Sequence, residues 1–85
     1  MLSTAKIQTI ASNLTALIRQ PIFDSSELIL EELANVKTEE EFNRVHNIFG
    51  LMRINRFTPF RDLTQWLKME LSEEQFERTM KKFNT

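Results

Sequence analysis

Three capping boxes and a threonine–proline pair divide this chain into helices before any other feature is considered. Asp24 stands three residues before Glu27, Thr38 before Glu41, and Ser72 before Gln75. In such a box the first side chain accepts a hydrogen bond from an orphan amide of the first turn. The Glu or Gln at the third position reaches back to the N–H of the cap residue. Thr58 is followed by Pro59, and proline at a first helical position loses nothing, because its missing N–H would have no partner there. Ser3 or Thr4 supplies a further start. Each start leads into an apolar run, and no segment alternates with a period of two. The expectation is an all-α fold without a sheet: a compact orthogonal bundle of four to five short helices.

The apolar spacing fills in the elements. Ile7, Ile10, Ala11, Leu14, Leu17 and Ile18 form one stripe on a helix from about residue 4 to Gln20, stopped by Pro21. Phe23 before the Asp24 cap is spaced to staple onto Leu28. A second helix over about 25–36 is apolar on more than one face (Leu28, Ile29, Leu30, Leu33, Ala34, Val36), which predicts a central position. The third begins after Thr38, with Glu39, Glu40 and Glu41 in the turn where the helix dipole favours them. Its stripe is Phe42, Val45, Ile48, Phe49 and Met52. Gly50 either ends this helix or lies within it; the apolar pattern through Ile54 favours a helix that continues. A fourth helix is expected from Pro59 to about Met69, with Phe60, Leu63, Trp66 and Leu67 inward. A fifth is expected over 73–83, with Phe76, Met80 and Phe83 inward.

Length sets the scale. Eighty-five residues make one domain, and a chain this short hides only about 60–65 % of its unfolded surface. There is no cysteine and one histidine, so neither a disulfide nor a thiolate zinc site can support the fold. Helix packing must supply the stability, or a partner must share in it. A cysteine-free chain fits a reducing compartment, no apolar stretch approaches the roughly 20 residues of a membrane span, and the first helix is too polar for a signal peptide. These features make the cytoplasm the expected location. The net charge of −1 divides into a net of −3 over residues 1–50 and +2 over residues 51–85. Neither value is the footprint of a nucleic-acid binder or a polybasic membrane patch.

Catalysis finds little apparatus. His46, the one imidazole, sits in mid-helix, where a partly buried structural role is expected. No glycine-rich phosphate loop, Glu-x-x-His pair or nucleophile with a base in register is present. A non-enzymatic chain without cofactor or metal is expected.

The C-terminal third has a recognisable outline. The spacing Leu63, Leu67, Met69, Leu71, Phe76, Met80, Phe83 resembles the helix-turn-helix core of winged-helix and related domains. That resemblance implies a second helix whose N-terminal residues enter the DNA major groove. Here that helix opens with Glu73, Glu74 and Glu77, which repel phosphates, and its basic residues Arg78, Lys81 and Lys82 come late. The expectation is therefore a helix-turn-helix-like hairpin used for packing and protein contact, with duplex DNA as the lesser alternative.

Two surfaces stand out as partner sites. Arg53, Arg56 and Arg61 flank Phe57 and Phe60, the composition of protein hot spots and also of single-strand stacking platforms. Core phenylalanines with solvated arginines would have the same composition. With eight bulky aromatics in the chain, a bundle of this size buries most of them, and any left exposed would mark a contact surface. The second surface is the uncharged face of helix one, with Gln8, Ser12 and Thr15, where an ordinary solvated face carries Glu and Lys. The leading expectation is a small protein-binding module: an inhibitor, adaptor or regulatory subunit. A DNA-binding regulator using residues 59–83 and a homo-oligomeric structural subunit assembling through helix one are the alternatives.

Overall fold

The computed structural model describes residues 2–20 and 25–83, and among these the chain forms five helices and no strand. They are α1 (Thr4–Arg19), α2 (Ser25–Leu33), α3 (Glu39–Phe49), α4 (Leu63–Glu70) and α5 (Glu73–Phe83). The radius of gyration is 12.1 Å, close to the roughly 12 Å of a well-packed chain of this length.

Local signals account for most of the boundaries. Ser3 is extended, and its hydroxyl accepts from the Lys6 amide at 3.2 Å to open α1. The box at Ser72 is complete: the Gln75 amide donates to Ser72 Oγ at 3.1 Å, and the Ser72 amide donates to Gln75 Oε1 at 2.9 Å. The Asp24 cap and the Phe23 staple fall outside the described residues.

The box expected at Thr38 is only half made. Thr38 Oγ1 accepts from the Glu41 amide at 3.1 Å. The Glu41 carboxylate, however, does not return to Thr38. Its Oε1 accepts from the Lys37 amide at 3.0 Å and its Oε2 from the Leu2 amide at 2.8 Å. Arg44 reinforces the link, donating to the Leu2 carbonyl and to Thr4 Oγ1, each at 3.2 Å. The start of α3 thereby holds the residues that lead into α1. Glu41 is only 4 % exposed. The Leu2 and Lys37 amides hold its carboxyl below the usual range, against the opposing effect of burial.

The apolar stripe of α1 lies at the centre. Ile7, Ile10, Ala11, Leu14 and Ile18 are buried and pack mainly on α3, then on α2. The central position expected of α2 therefore belongs to α1. Helix α2 ends at Leu33 rather than residue 36 and buries only Ile29 and Leu33. Val36 reaches the core from the turn that follows. The polar face of α1 is partly used inside the fold: Asn13 donates to Glu32 Oε1 of α2 at 2.9 Å.

The far side is closed by α4 and α5. Phe83 stacks on Phe42 with centroids 4.5 Å apart and an interplanar angle of 14°, tying the end of α5 to the start of α3. Trp66, Leu63 and Leu67 of α4 are fully buried. Each such side chain removed from water stabilises the fold by about 1.5–3 kcal/mol. Phe76 and Met80 pack against this core without being fully covered. Met69, expected in the hairpin core, is 57 % exposed.

Two further boundaries differ from the sequence reading. Gly50 ends α3 and does not lie inside it. Its amide donates to the His46 carbonyl at 3.0 Å, and its φ of +63° with ψ of −145° leaves helical space for a region that only glycine enters freely. Ile48, placed in the buried stripe, is exposed near this end. Helix α4 starts at Leu63, not at Pro59. Asp62 is its cap, in a complete box with Gln65: the Gln65 amide donates to Asp62 Oδ1, and the Asp62 amide donates to Gln65 Oε1, both at 2.9 Å. Residues 50–62 form a long connection between α3 and α4.

Candidate functional site: an arginine–aromatic loop and its groove

Connections of more than about 12 residues without secondary structure are uncommon in small domains and are often functional. This one is held at its neck by backbone. The Met52 amide donates to the Arg61 carbonyl at 2.9 Å, and the Arg61 amide donates to the Met52 carbonyl at 3.0 Å, an isolated antiparallel bridge. The same Met52 carbonyl accepts from the buried Trp66 Nε1 at 2.8 Å. One oxygen thus accepts twice, closing the neck through Arg61 and fastening it to α4 through Trp66.

The tip is organised by Thr58 and Asn55. Thr58 is not a helix cap. Its Oγ1 accepts from the Ile54 amide at 3.0 Å and the Asn55 amide at 3.1 Å, and donates to the Asn55 carbonyl at 2.9 Å. Asn55 Oδ1 accepts from the Phe57 amide at 2.8 Å, an Asx-type turn. These local bonds set the course of the tip from Ile54 to Thr58.

What the loop presents is aromatic and cationic. Phe57 is 83 % exposed and Phe60 57 %; the inward position expected for Phe60 does not hold, because α4 begins after it. The Arg53 guanidinium lies 4.7 Å from the Phe60 ring centre, that of Arg56 5.0 Å from Phe57, and that of Arg61 5.0 Å from Trp66. These are cation–π distances. Between Gly50 and Arg61 the sequence has no carboxylate, and none of the three arginines forms an ion pair among the described residues. The ion pair between fixed charges there joins Arg78 to Glu74. His46 Nε2 stands 3.8 Å from Asp62 Oδ2, too far for a hydrogen bond.

A groove of about 560 Å³ lies alongside. One wall is α1, through Ala11, Ser12, Thr15, Ala16 and Arg19; the other is Ile48 and Phe49 of α3 with Ile54 of the loop. The structure thus brings Ser12 and Thr15 of the uncharged α1 face to the foot of the loop that carries Arg53, Arg56, Phe57 and Arg61. Gln8 is exposed on α1, one turn before Ser12, and does not line the groove. Thr15 Oγ1 donates to the Ala11 carbonyl at 2.9 Å, while Ser12, Arg19 and Gln20 give the groove a polar side beside its aliphatic one. Ile48 and Leu51 are exposed apolar residues beside the loop that the sequence reading did not assign to a surface. For Leu51 the signal was Gly50, which, read as a helix end, takes it out of the continuing pattern; Ile48 lies inside α3 and carried no such signal.

Other chemistry has few components. Among the described residues no group of three or more His, Cys, Asp or Glu side chains could hold a metal ion, no buried side-chain polar atom lacks a hydrogen-bond partner, and no helix is long and apolar enough to cross a membrane. Comparison with known proteins gives no match to a protein family, a curated sequence or a solved structure.

Proposed function

We propose that this chain is a small non-enzymatic protein-binding module, an inhibitor, adaptor or regulatory subunit, that engages its partner through residues 50–62 and the adjoining groove. The observation that carries this reading is the pair Phe57 and Phe60, exposed beneath guanidiniums on a loop whose neck and tip are hydrogen-bonded. Exposed aromatics with arginine are the residues that dominate protein interfaces, and a preorganised loop avoids part of the ordering cost of association. Duplex DNA is less well supported. Helix α5 opens with Glu73 and Glu74, and Arg78 is already paired with Glu74. We take the cytoplasm as its compartment, on the cysteine-free sequence.

The test is a comparative pull-down from nuclease-treated lysate of the source organism, with wild type and the Arg53→Glu, Arg56→Glu double variant as baits. The expected result is a protein retained by wild type and lost by the variant, with the two melting temperatures nearly equal. Equal retention by both baits makes the loop ordinary surface. Material retained only without nuclease moves the reading to nucleic acid.

A further inference from the structure

Resting on the protein-binding reading, we propose that the partner element is an acidic peptide segment studded with apolar side chains, its carboxylates on Arg53 and Arg56 and its apolar anchors in the groove between α1 and the end of α3. Charge complementarity is the first argument. Three guanidiniums cluster on one loop, and none donates a hydrogen bond or meets a carboxylate among the described residues. Their guanidinium carbons lie over rings, 4.7 Å from the centre for Arg53 and 5.0 Å for Arg56. Their N–H groups have no acceptor among the described residues, and a guanidinium matches a carboxylate in a bidentate pair. The ring supports and partly desolvates the cation, which strengthens such a pair over one between two flexible surface chains.

The groove supplies the second argument. Its lining has no acidic residue: Ala11, Ser12, Ala16, Ile48 and Ile54 are small or aliphatic, and Arg19 is its one charge. Small side chains on α1 let a partner backbone approach closely, and a volume of about 560 Å³ falls within the range of about 300–1,000 Å³ typical of binding clefts. Aliphatic walls suit Leu, Ile or Phe anchors. Arg19 is the one cation there for a phosphate backbone, and the chain as a whole carries a net charge of −1. A peptide carrying both apolar groups and carboxylates uses the aliphatic wall as well as the arginines, whereas a nucleic acid leaves that wall unused.

The experiment is a selection of random peptides displayed on phage against the full chain at physiological salt, with counter-selection against the Arg53→Glu, Arg56→Glu variant. Both arginines are exposed, so the variant folds, and circular dichroism checks this. The expected outcome is enrichment of Asp and Glu interspersed with Leu, Ile or Phe. A synthetic copy of the leading sequence then binds at least about tenfold more weakly to the double variant and more weakly as salt rises. It also loses affinity for Ala16→Glu, which puts a carboxylate in the groove. Enriched peptides without acidic excess, still lost on the double variant, overturn the acidic partner and leave the protein-binding reading standing. Indifference to Ala16→Glu removes the groove from the site. No enrichment over the variant overturns both readings. Labelled oligo(dT) binding then identifies a single-strand platform, and a dimer by light scattering that Gln8→Glu with Thr15→Glu dissociates identifies a second copy as the occupant.

Discussion

The indole N–H of Trp66 donates to the carbonyl of Met52 at 2.8 Å in the buried interior, and that carbonyl also receives the Arg61 amide. One oxygen therefore joins the core of α4 to both strands of the loop neck. Replacing Trp66 by Phe removes the donor and leaves a small void. The expected cost is about 1–3 kcal/mol, measured by urea denaturation. Amide exchange at Met52 and Arg61 should accelerate more than that at Ile7 or Leu14. Uniform acceleration would mean that the indole supports the core generally and not the neck.

Gly50→Ala should destabilise the protein by about 1 kcal/mol, because φ of +63° is strained for any residue with a Cβ. The cause is conformational, not steric crowding. An added Cβ would meet only the Asn47 and Ile48 carbonyl oxygens, each at 4.0 Å, an ordinary contact. Gly50→Asn should lose about as much, since ψ of −145° lies outside the left-handed helical region where asparagine is tolerated. Recovery by asparagine would point to some other cause.

The phenylalanines divide into two energetic groups. Phe57→Ala should change stability by less than about 0.5 kcal/mol, since most of its ring already faces water. Phe83→Ala should cost about 3–5 kcal/mol, because it is buried and stacked on Phe42. Denaturant midpoints of the two variants measured side by side check this directly.

Glu41 gives stability a defined dependence on acid. Its folded-state pKa lies below the ordinary 4.5, because the Leu2 and Lys37 amides donate to the carboxylate. The folded state then binds fewer protons than the unfolded one at mildly acidic pH. The stabilisation is full above the unfolded value and is lost as pH falls through the folded one. Glu41→Gln should therefore lower the melting temperature at neutral pH, with the gap to wild type closing in acid. A gap independent of pH would assign the effect to packing.

Glu70, the last residue of α4, has the opposite sign. Burial raises its pKa above 4.5, so ionisation opposes folding once pH exceeds the unfolded value, and stability falls as pH rises toward the folded one. A negative charge at a helix C-terminus is also unfavourable by about 0.3–1 kcal/mol. Glu70→Gln should raise the melting temperature at neutral pH and leave it unchanged in strong acid. A variant less stable at neutral pH and unchanged in strong acid would show that the carboxylate has a favourable partner.

How far the fold could be read from the sequence is clearest at its helix starts. Ser72 with Gln75 was legible because both bonds of that box are local, three residues apart. Asp62 with Gln65 is an equally local box, yet Thr58-Pro59 four residues earlier offers a competing start before the same apolar run. The bridge from Met52 to Arg61 coincides with the later start, and a pairing nine residues apart leaves no local trace. Glu41 illustrates the same limit. Its spacing from Thr38 was visible, whereas its partner Leu2 lies 39 residues away. Phe60 was assigned to the core on helical periodicity and lost that place once the helix began after it. The clustering of arginine with phenylalanine was plain in the sequence; the exposure of the rings was not, since it depends on where α3 stops and α4 begins.

The neck of residues 50–62 is closed by main-chain groups of Met52 and Arg61, while the exposed tip is written in the side chains at positions 53, 56, 57 and 60. Framework and exposed surface are therefore encoded by different residues. The side chains at those four positions can vary without touching the main-chain bonds that close the neck, so the loop is a place where the surface of this helical scaffold can be rewritten with little loss of stability.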